Sequence, residues 1–331
     1  MRIPLALAAA VAALLSTPIP AQPGTGGAEA RLLGLRALDA RVATIGHRLA
    51  VASHDHCVDQ AWLPGIVVHD LAQYGGADRT AAARLFRLGD GPAVMALAEG
   101  GPAARAGLRT DDRLLALDGV ALAAFPPRSE PSFAGVEQAL EALDNAFADG
   151  AADLAILREG RPLTVRVAAD RGCATRFQMI PSRRLNARAD GRYVQLTSGI
   201  VSYVLDDDEL AAVVAHEFAH NVLQHRRRLD GQQVQRGFFG NFGRNARLIR
   251  ETEIEADRVS LYLVDLAGYD IEAAARFWRR FGPRGLILFE APTHPPWRNR
   301  VAALREEAQR IRAARAAGRP VVPPMPVRAR T

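Results

Sequence analysis

The amino-acid sequence predicts an α+β protein in which a small β-rich domain precedes a larger, mainly helical domain. Short apolar segments separated by glycine-containing turns are concentrated between residues 86 and 170. After residue 171, apolar residues recur instead at the three- and four-residue spacing of amphipathic helices. The 331 residues, 49% of them hydrophobic and 24% charged, suffice for the cores of two modest domains.

Residues 1–21 have the pattern of a signal peptide. A positive start at Arg2 is followed by an almost unbroken apolar run over 3–15, and then by small residues and prolines up to Ala21. We expect cleavage after Ala21 and export to the periplasm or out of the cell; an uncleaved buried helix is the alternative. The run is too short for a stable anchor, and no later stretch reaches about 18 apolar residues, so no transmembrane span is expected in the mature chain.

Arginine supplies all 42 basic residues, and 36 acidic residues leave a net charge of +6. The arginines are spread along the chain and mixed with the acids, whereas nucleic-acid binding requires them on one face or in a known module. We therefore predict no nucleic-acid partner. Peripheral contact with an anionic membrane surface stays open.

Residues 22–85 are predicted to form an N-terminal helical segment. From Ala28 to Ala52, leucine, valine and isoleucine recur at helical spacing, which indicates an amphipathic helix. The sequence does not identify the surface that this helix covers.

Two cysteines, Cys57 and Cys173, flank the β-rich region. In an exported protein an even number of cysteines indicates a disulfide, which here would join the segments on either side of that region. The alternative is a metal site formed by Cys57 with His54 and His56. Ligands so close in sequence need a further ligand from elsewhere, and we therefore predict the disulfide.

The β-rich region, residues 86–170, contains two ordered motifs. GGPAARAGL at 100–108 follows an apolar strand, and DDRLLALDG at 111–119 is typical of a strand that ends in a turn. Both resemble PDZ domains of the bacterial protease type, which implies a PDZ-like fold. In that family a loop binds the carboxylate of a peptide, and Leu88-Gly89 is the nearest candidate for this peptide-binding loop. The alternative is a PDZ-shaped spacer that binds nothing.

The helical domain is predicted over residues 171–309, followed by a Pro- and Arg-rich tail over 310–331. The tail is expected to be disordered from Arg319 onward. A strand is expected at Tyr193–Thr197 and an irregular segment at Leu229–Arg247. The predicted helices are Glu209–Arg228, Ala246–Leu266, Ile271–Phe281 and Val301–Ala317.

The first of these helices carries the motif HEFAH at 216–220. His216 and His220 are four residues apart, so they lie one turn apart on the same face and can bind one metal ion. Glu217 is rotated by about 100° from His216, which places it beside the metal without making it a ligand. There it can accept a proton from a water molecule at the metal.

The next helix carries EIEAD at 253–257. Glu253 and Asp257 share a face, so Glu253 can be the third ligand and Asp257 can hold the other ring nitrogen of a ligand histidine. Glu255 lies on the opposite side and is expected to be a solvated surface charge. His225 is likewise expected at a solvated helix end.

These motifs, with THPPWRNR at 293–300, resemble the HtpX-like and CAAX-prenyl-protease-like zinc metallopeptidases of metallopeptidase family 48. The resemblance covers residues 193–300 and implies a zincin-type domain with one Zn²⁺ per chain. It implies zinc ligands His216, His220 and Glu253 and the base Glu217. It also implies a transition-state or gating role for His294 near the metal, and structural roles for Asp257 and Arg300. Many relatives are embedded in membranes, whereas this sequence shows no mature spanning helix.

The sequence therefore predicts an exported zinc endopeptidase that acts on proteins or peptides, with unfolded envelope proteins as candidate substrates. The strand Tyr193–Thr197 is expected to receive the substrate by strand addition. Within Leu229–Arg247, Phe238, Phe239 and Phe242 are expected to form a lid or a contact with a membrane or partner. Two alternatives remain open: a chaperone-like binding module whose zinc is covered by that segment, and a purely structural zinc site.

Overall fold

A computed structural model describes residues 25–126, 129–234, 243–284 and 294–325. The predicted signal peptide, residues 1–21, lies outside these residues, and so do Phe238, Phe239 and Phe242 of the predicted lid. Both strands and helices are present, as the α+β prediction requires. None of the helices in the described ranges combines the length and the apolar character needed to cross a bilayer.

Eleven strands lie in the described residues. They are β1 (Gln60–Leu63), β2 (Ile66–His69), β3 (Ala93–Leu97), β4 (Arg113–Leu117), β5 (Val120–Ala121), β6 (Ala151–Arg158), β7 (Arg161–Ala168), β8 (Asp170–Cys173), β9 (Arg176–Ile180), β10 (Ala187–Ala189) and β11 (Tyr193–Thr197). A six-stranded sheet has the order β2-β3-β4-β6-β7, with β5 paired to β4. All its pairs are antiparallel, and β6 and β7 form a hairpin around Glu159-Gly160.

Ten helices accompany these strands in the described ranges. They are α1 (Thr25–Ala52), α2 (Gly76–Leu85), α3 (Pro102–Arg105), α4 (Ala134–Ala146), α5 (Ser198–Tyr203), α6 (Asp207–Val222), α7 (His225–Gly231), α8 (Gly243–Leu266), α9 (Ala273–Phe281) and α10 (Trp297–Ala316). The smaller sheet has the order β10-β11-β9, with β11 in the middle, and it packs against α1, α5 and α6.

The surface that α1 covers spans both halves of the molecule. Leu32 packs into a core with Phe86 and Leu88, whereas Ile45, near the other end of α1, packs into the core of the helical half. A side chain at Gly46 would overlap the ring of Phe177 on β9, so glycine allows this close approach. The described residues 25–85 thus contribute to the cores of both halves.

The structure differs from the prediction for the β-rich region in two respects. Its sheet begins with β2 at Ile66, before the predicted boundary at residue 86. Leu88 is buried beneath α1, and Gly89 lies against the guanidinium of Arg113. This packing does not support a peptide-binding loop at Leu88-Gly89, because the apolar side chain belongs to the core.

The helical half also departs from the predicted boundaries. The first long helix ends at Val222, and Gln224 adopts a left-handed φ of 52° before α7 begins at His225. Part of the predicted irregular segment is therefore helical, up to Gly231 in α7 and from Gly243 in α8. The remaining residues 235–242 of that segment lie outside the described ranges.

The chain after α10 was expected to be disordered, but part of it is packed. Val321 contacts the core formed by α8, α9 and α10, and Met325 contacts the main core of the helical half. Proline fixes its own φ and costs little entropy to order, which favours a Pro-rich segment that lies extended against the surface. Residues 326–331 lie outside the described ranges.

The structure pairs Cys57 with Cys173 in a disulfide, with the Cα atoms 5.6 Å apart. Both cysteines are buried, and β1 and β8 pair beside them with Gln60 opposite Cys173. The bond connects the segment after α1 to the segment that leads into the helical half. It closes a loop with a sequence separation of 116.

We predict that replacing Cys57 and Cys173 together by alanine lowers the free energy of unfolding by about 2–5 kcal/mol, because the cross-link restricts the unfolded chain. Urea unfolding of the oxidised protein and of the double variant measures this difference. Thiol labelling of denatured protein, before and after reduction, is the control. Full labelling of both cysteines without reductant would contradict the prediction.

Candidate metal centre

The helix that carries HEFAH begins at a well-formed cap. The Asp206 carboxylate accepts a hydrogen bond from the backbone N–H of Glu209 at 2.8 Å, and the Glu209 carboxylate accepts one from the N–H of Leu205 at 3.0 Å. This reciprocal pairing satisfies two backbone donors that the helix leaves open at its start. From this start, α6 runs through the core and presents His216 and His220 to α8.

Three side chains from α6 and α8 converge on one point. His216 Nε2 lies 3.4 Å from His220 Nε2 and 3.4 Å from Glu253 Oε2, and His220 Nε2 lies 3.5 Å from Glu253 Oε1. These three residues form a group that could hold a metal ion. The i,i+4 spacing on α6 supplies two of the donors, and the packing of α8 on α6 brings the third.

The other ring nitrogen of His216 is held by an acidic residue. His216 Nδ1 lies 3.1 Å from Asp257 Oδ1, and Arg300 donates to Asp257 through Nε at 2.7 Å and through Nη2 at 2.5 Å. The Arg300 guanidinium is buried and stacks over the Trp278 ring at 3.6 Å. This chain of contacts fixes the orientation of the His216 ring.

A second set of contacts surrounds His220, and these contacts were not predicted from the sequence. His225 is buried, with Nδ1 2.9 Å from His220 Nδ1 and Nε2 3.1 Å from Glu255 Oε2. Arg228 donates to both oxygens of Glu255, at 2.5 and 3.2 Å. The expectation of a solvated His225 is therefore wrong, and Glu255, expected to be a solvated surface charge, is half-exposed but paired with His225 and Arg228. The break at Gln224 turns His225 back towards His220, and no pattern in the sequence signals that break.

Two further predicted residues lie beside this cluster. His294 Nε2 is 3.7 Å from Glu253 Oε2 and its side chain is 29% exposed, which places it at the open side of the cluster. Glu217 and His216 line a cavity with largely apolar walls, which include Val213, Phe277 and Trp278. Leu88, Gly89 and the two cysteines belong to other parts of the molecule.

The pKa values in the cluster show where charge is favoured. Burial would lower the pKa of His216, but its hydrogen bonds to Asp257 and Glu253 raise it to about 10. Burial would raise the pKa of Glu253, yet His220 and His216 hold it well below its usual value. Burial lowers the pKa of His220 to about 3 and raises that of Glu217 to about 7. The carboxylates of Asp257 and Glu253 therefore favour positive charge on His216, whereas burial keeps His220 neutral.

The edge of the small sheet next to the cavity is β10, not β11. Strand β11 has β10 on one side and β9 on the other, so the backbone at Tyr193–Thr197 is already paired. Asn186 and Ala187, at the start of β10, line the same cavity as His216 and Glu217. Strand addition at Tyr193–Thr197 is therefore excluded. Among the described residues β10 and β9 are the two edge strands of this sheet, and β10 is the one that lies beside the cavity.

Comparisons with known proteins agree with this geometry. The model of peptidase family M48 matches residues 163–238 and 242–308. The chain is 32% identical over 140 residues to the mitochondrial metalloendopeptidase OMA1 of Schizosaccharomyces pombe. It is 28% identical over 166 residues to a Vibrio cholerae protein named "Putative beta-barrel assembly-enhancing protease".

These alignments involve 35% and 40% of this chain, and they span 41% and 34% of the two relatives, so the chain spans less than half of either. The family match begins within β7, so it covers only the last strand of the six-stranded sheet and otherwise lies in the helical half. The matched residues include α6 and α8, which carry the cluster, so the helical half of this chain is similar in sequence to the M48 peptidases.

Proposed function

We propose that this chain is an exported, zinc-dependent metalloendopeptidase that hydrolyses peptide bonds in proteins, with quality control of envelope proteins as its task. The observation that carries the proposal is the triangle of His216, His220 and Glu253. Two imidazoles and one carboxylate are a common protein ligand set of catalytic zinc sites, which keep a fourth position open. A structural site would need a fourth protein ligand.

The spacing of the three donors fits zinc. Zinc–ligand distances of about 2.0–2.1 Å and tetrahedral angles place neighbouring donor atoms about 3.3–3.4 Å apart. The two imidazole nitrogens lie 3.4 Å apart, and they lie 3.4 and 3.5 Å from the two different oxygens of the Glu253 carboxylate. Little rearrangement of the side chains is therefore needed for one Zn²⁺ per chain. When bound, the ion supplies Lewis acidity, which acidifies water and polarises a carbonyl group.

Glu217 acts as the general base in this proposal. It follows a ligand histidine directly and lines the cavity, so it can accept the proton of the attacking water and pass it to the leaving amine. Its pKa, raised to about 7 by burial, suits a group that must both take up and release a proton near neutral pH. His294, at the open side, can donate a hydrogen bond to the oxygen on which charge develops.

The substrate enters along β10 in this proposal. An extended peptide that pairs with the open edge at Ala187–Ala189 would run past Glu217, since Ala187 and Glu217 line one cavity. The apolar wall formed by Val213, Phe277 and Trp278 favours a hydrophobic side chain near the cleaved bond. Hydrophobic residues that folded proteins bury are accessible in unfolded ones, which suits a role in quality control.

The β-rich half has a proposed recruiting role. An antiparallel sheet with the short helix α3 and the longer helix α4 is compatible with the predicted PDZ-like domain. Since Leu88 is buried, we place peptide recognition at β2, the edge strand of this sheet, which contacts α4. The buried disulfide supports export, because disulfides persist in oxidising compartments.

Degradation of casein by the chain without residues 1–21 tests the proposed function. We expect cleavage at neutral pH, its loss after treatment with a chelator, and its recovery on addition of about one equivalent of Zn²⁺, because the three donors are the main anchor for the ion. Zinc content is measured in the same samples. Stoichiometric zinc without cleavage of casein or short peptides would overturn the proposal and favour the binding module with a covered site.

A further inference from the structure

A line of polar contacts leads from His220 to the surface of the helical half. It runs from His220 through His225 to Glu255 and ends at Arg228, with separations of 2.9 Å, 3.1 Å and 2.5 Å between successive contacting atoms. We infer that His225 and Glu255 are positioning residues that orient His220 as a metal ligand. This inference rests on the proposed function, because it concerns the same metal centre.

The hydrogen positions along this line follow from its two ends. Since His220 Nε2 faces Glu253 and His216, it must carry a free lone pair to bind a metal, and the ring hydrogen of His220 is then on Nδ1. That N–H points at His225 Nδ1, which must accept. The hydrogen of His225 is then on Nε2 and is donated to Glu255, a carboxylate that can only accept.

Arg228 holds the outer end of the line. Its two terminal nitrogens contact the two carboxylate oxygens of Glu255, an arrangement that fixes the plane of the carboxylate. The His225 side chain is 2% exposed, whereas those of Glu255 and Arg228 are 36% and 37% exposed. The buried histidine therefore joins a buried ligand to an ion pair at the surface.

The two ligand histidines are held in parallel ways. His216 contacts Asp257 directly, and Arg300 fixes Asp257; His220 reaches Glu255 through His225, and Arg228 fixes Glu255. One turn of α8 thus supplies the third candidate ligand and both orienting carboxylates. An acidic partner on the far ring nitrogen fixes the tautomer of a metal-binding histidine and raises its basicity.

The inference is tested by the zinc affinity of the purified full-length chain. This affinity is measured by competition with a chromophoric chelator. We expect His225→Leu to weaken zinc binding about 10–100-fold, the range for partners that orient a ligand. His225→Asn should recover most of this loss, because its amide oxygen can accept from His220 near the position of Nδ1. His69→Leu is the matched control, since His69 is also fully buried but lies on β2.

Glu255→Ala is a second variant. It removes the half-exposed carboxylate in the outer part of the line of contacts, so it disturbs the core less than His225→Leu does. We expect it to weaken zinc binding about 10-fold, whereas Glu251→Ala, at an exposed position of the same helix, should leave zinc binding unchanged. Thermal unfolding of the metal-free variants is measured alongside, because a purely structural role would lower the unfolding temperature without changing zinc affinity.

Wild-type zinc affinity in both His225→Leu and Glu255→Ala would overturn the inference and leave the proposed function intact. The same holds if His225→Asn binds zinc as weakly as His225→Leu. Failure of the proposed function gives a different result. The wild-type chain then binds zinc and the variants rank in zinc affinity as predicted, but neither casein nor short peptides are cleaved. A wild-type chain that binds no zinc overturns both.

Discussion

Glu217→Gln should reduce peptidase activity about 10²–10⁴-fold, the usual contribution of a general base. Glutamine has nearly the same shape, but it cannot take up a proton at neutral pH. Since Glu217 lies next to His216 in sequence and is not part of the ligand triangle, the fold and the metal site should persist. Rates of casein and peptide cleavage, measured beside zinc content, give the comparison.

Zinc content shows whether activity is lost because the base is missing or because the variant no longer binds zinc. We expect Glu217→Gln to retain about one zinc per chain, since the three ligands are untouched. Glu209→Gln is not a suitable control, because Glu209 caps the same helix. Glu251→Gln makes the same chemical change at an exposed position of α8 and should keep full activity. A Glu217→Gln protein with near wild-type activity would exclude Glu217 as the base.

Glu253→Ala should lose zinc at concentrations that saturate the wild-type chain, with affinity reduced by more than the roughly 10–100-fold typical of residues that only orient a ligand. The carboxylate is the only anionic donor in the triangle, and its loss leaves two neutral imidazoles. Activity should fall with zinc occupancy. Equilibrium dialysis at a series of free zinc concentrations measures the loss.

The other acidic residues of α8 provide graded controls. From the sequence, Glu255 was expected to be irrelevant to zinc; from the structure, Glu255→Ala should give an intermediate loss, since its carboxylate reaches His220 through His225. Glu251→Ala should match the wild-type chain. Equal zinc retention by the Glu253 and Glu251 variants would show that the third ligand has been assigned wrongly.

The helical half could be predicted well where its features are local. The shared face of His216 and His220 and the shared face of Glu253 and Asp257 each depend on spacing within one helix, which the sequence reveals directly. The pairing of two motifs that each point to metal chemistry then predicts that α6 and α8 meet. The M48 match, made over residues that include both helices, is consistent with this prediction.

Features that depend on distant contacts could not be predicted in the same way. Leu88-Gly89 resembles a binding loop in sequence, but α1 covers it, and the sequence alone did not identify the partner of α1. Strand β11 was recognised as a strand, yet its pairing with two earlier strands, β9 in parallel and β10 antiparallel, was not visible in the sequence. The order of strands in a sheet is a property of the whole chain.

By itself, the sequence determined which residues carry the chemistry of this protein: the histidines and acids of two helical motifs, at spacings that place them on common faces. Only the tertiary structure decided what surrounds them. The left-handed turn at Gln224 brings His225 against His220, the packing of α8 brings Glu255 to His225, and the pairing of the small sheet leaves β10 at one of its edges. Periodicity is set by the geometry of a single helix, whereas these arrangements depend on which distant surfaces bury one another most favourably.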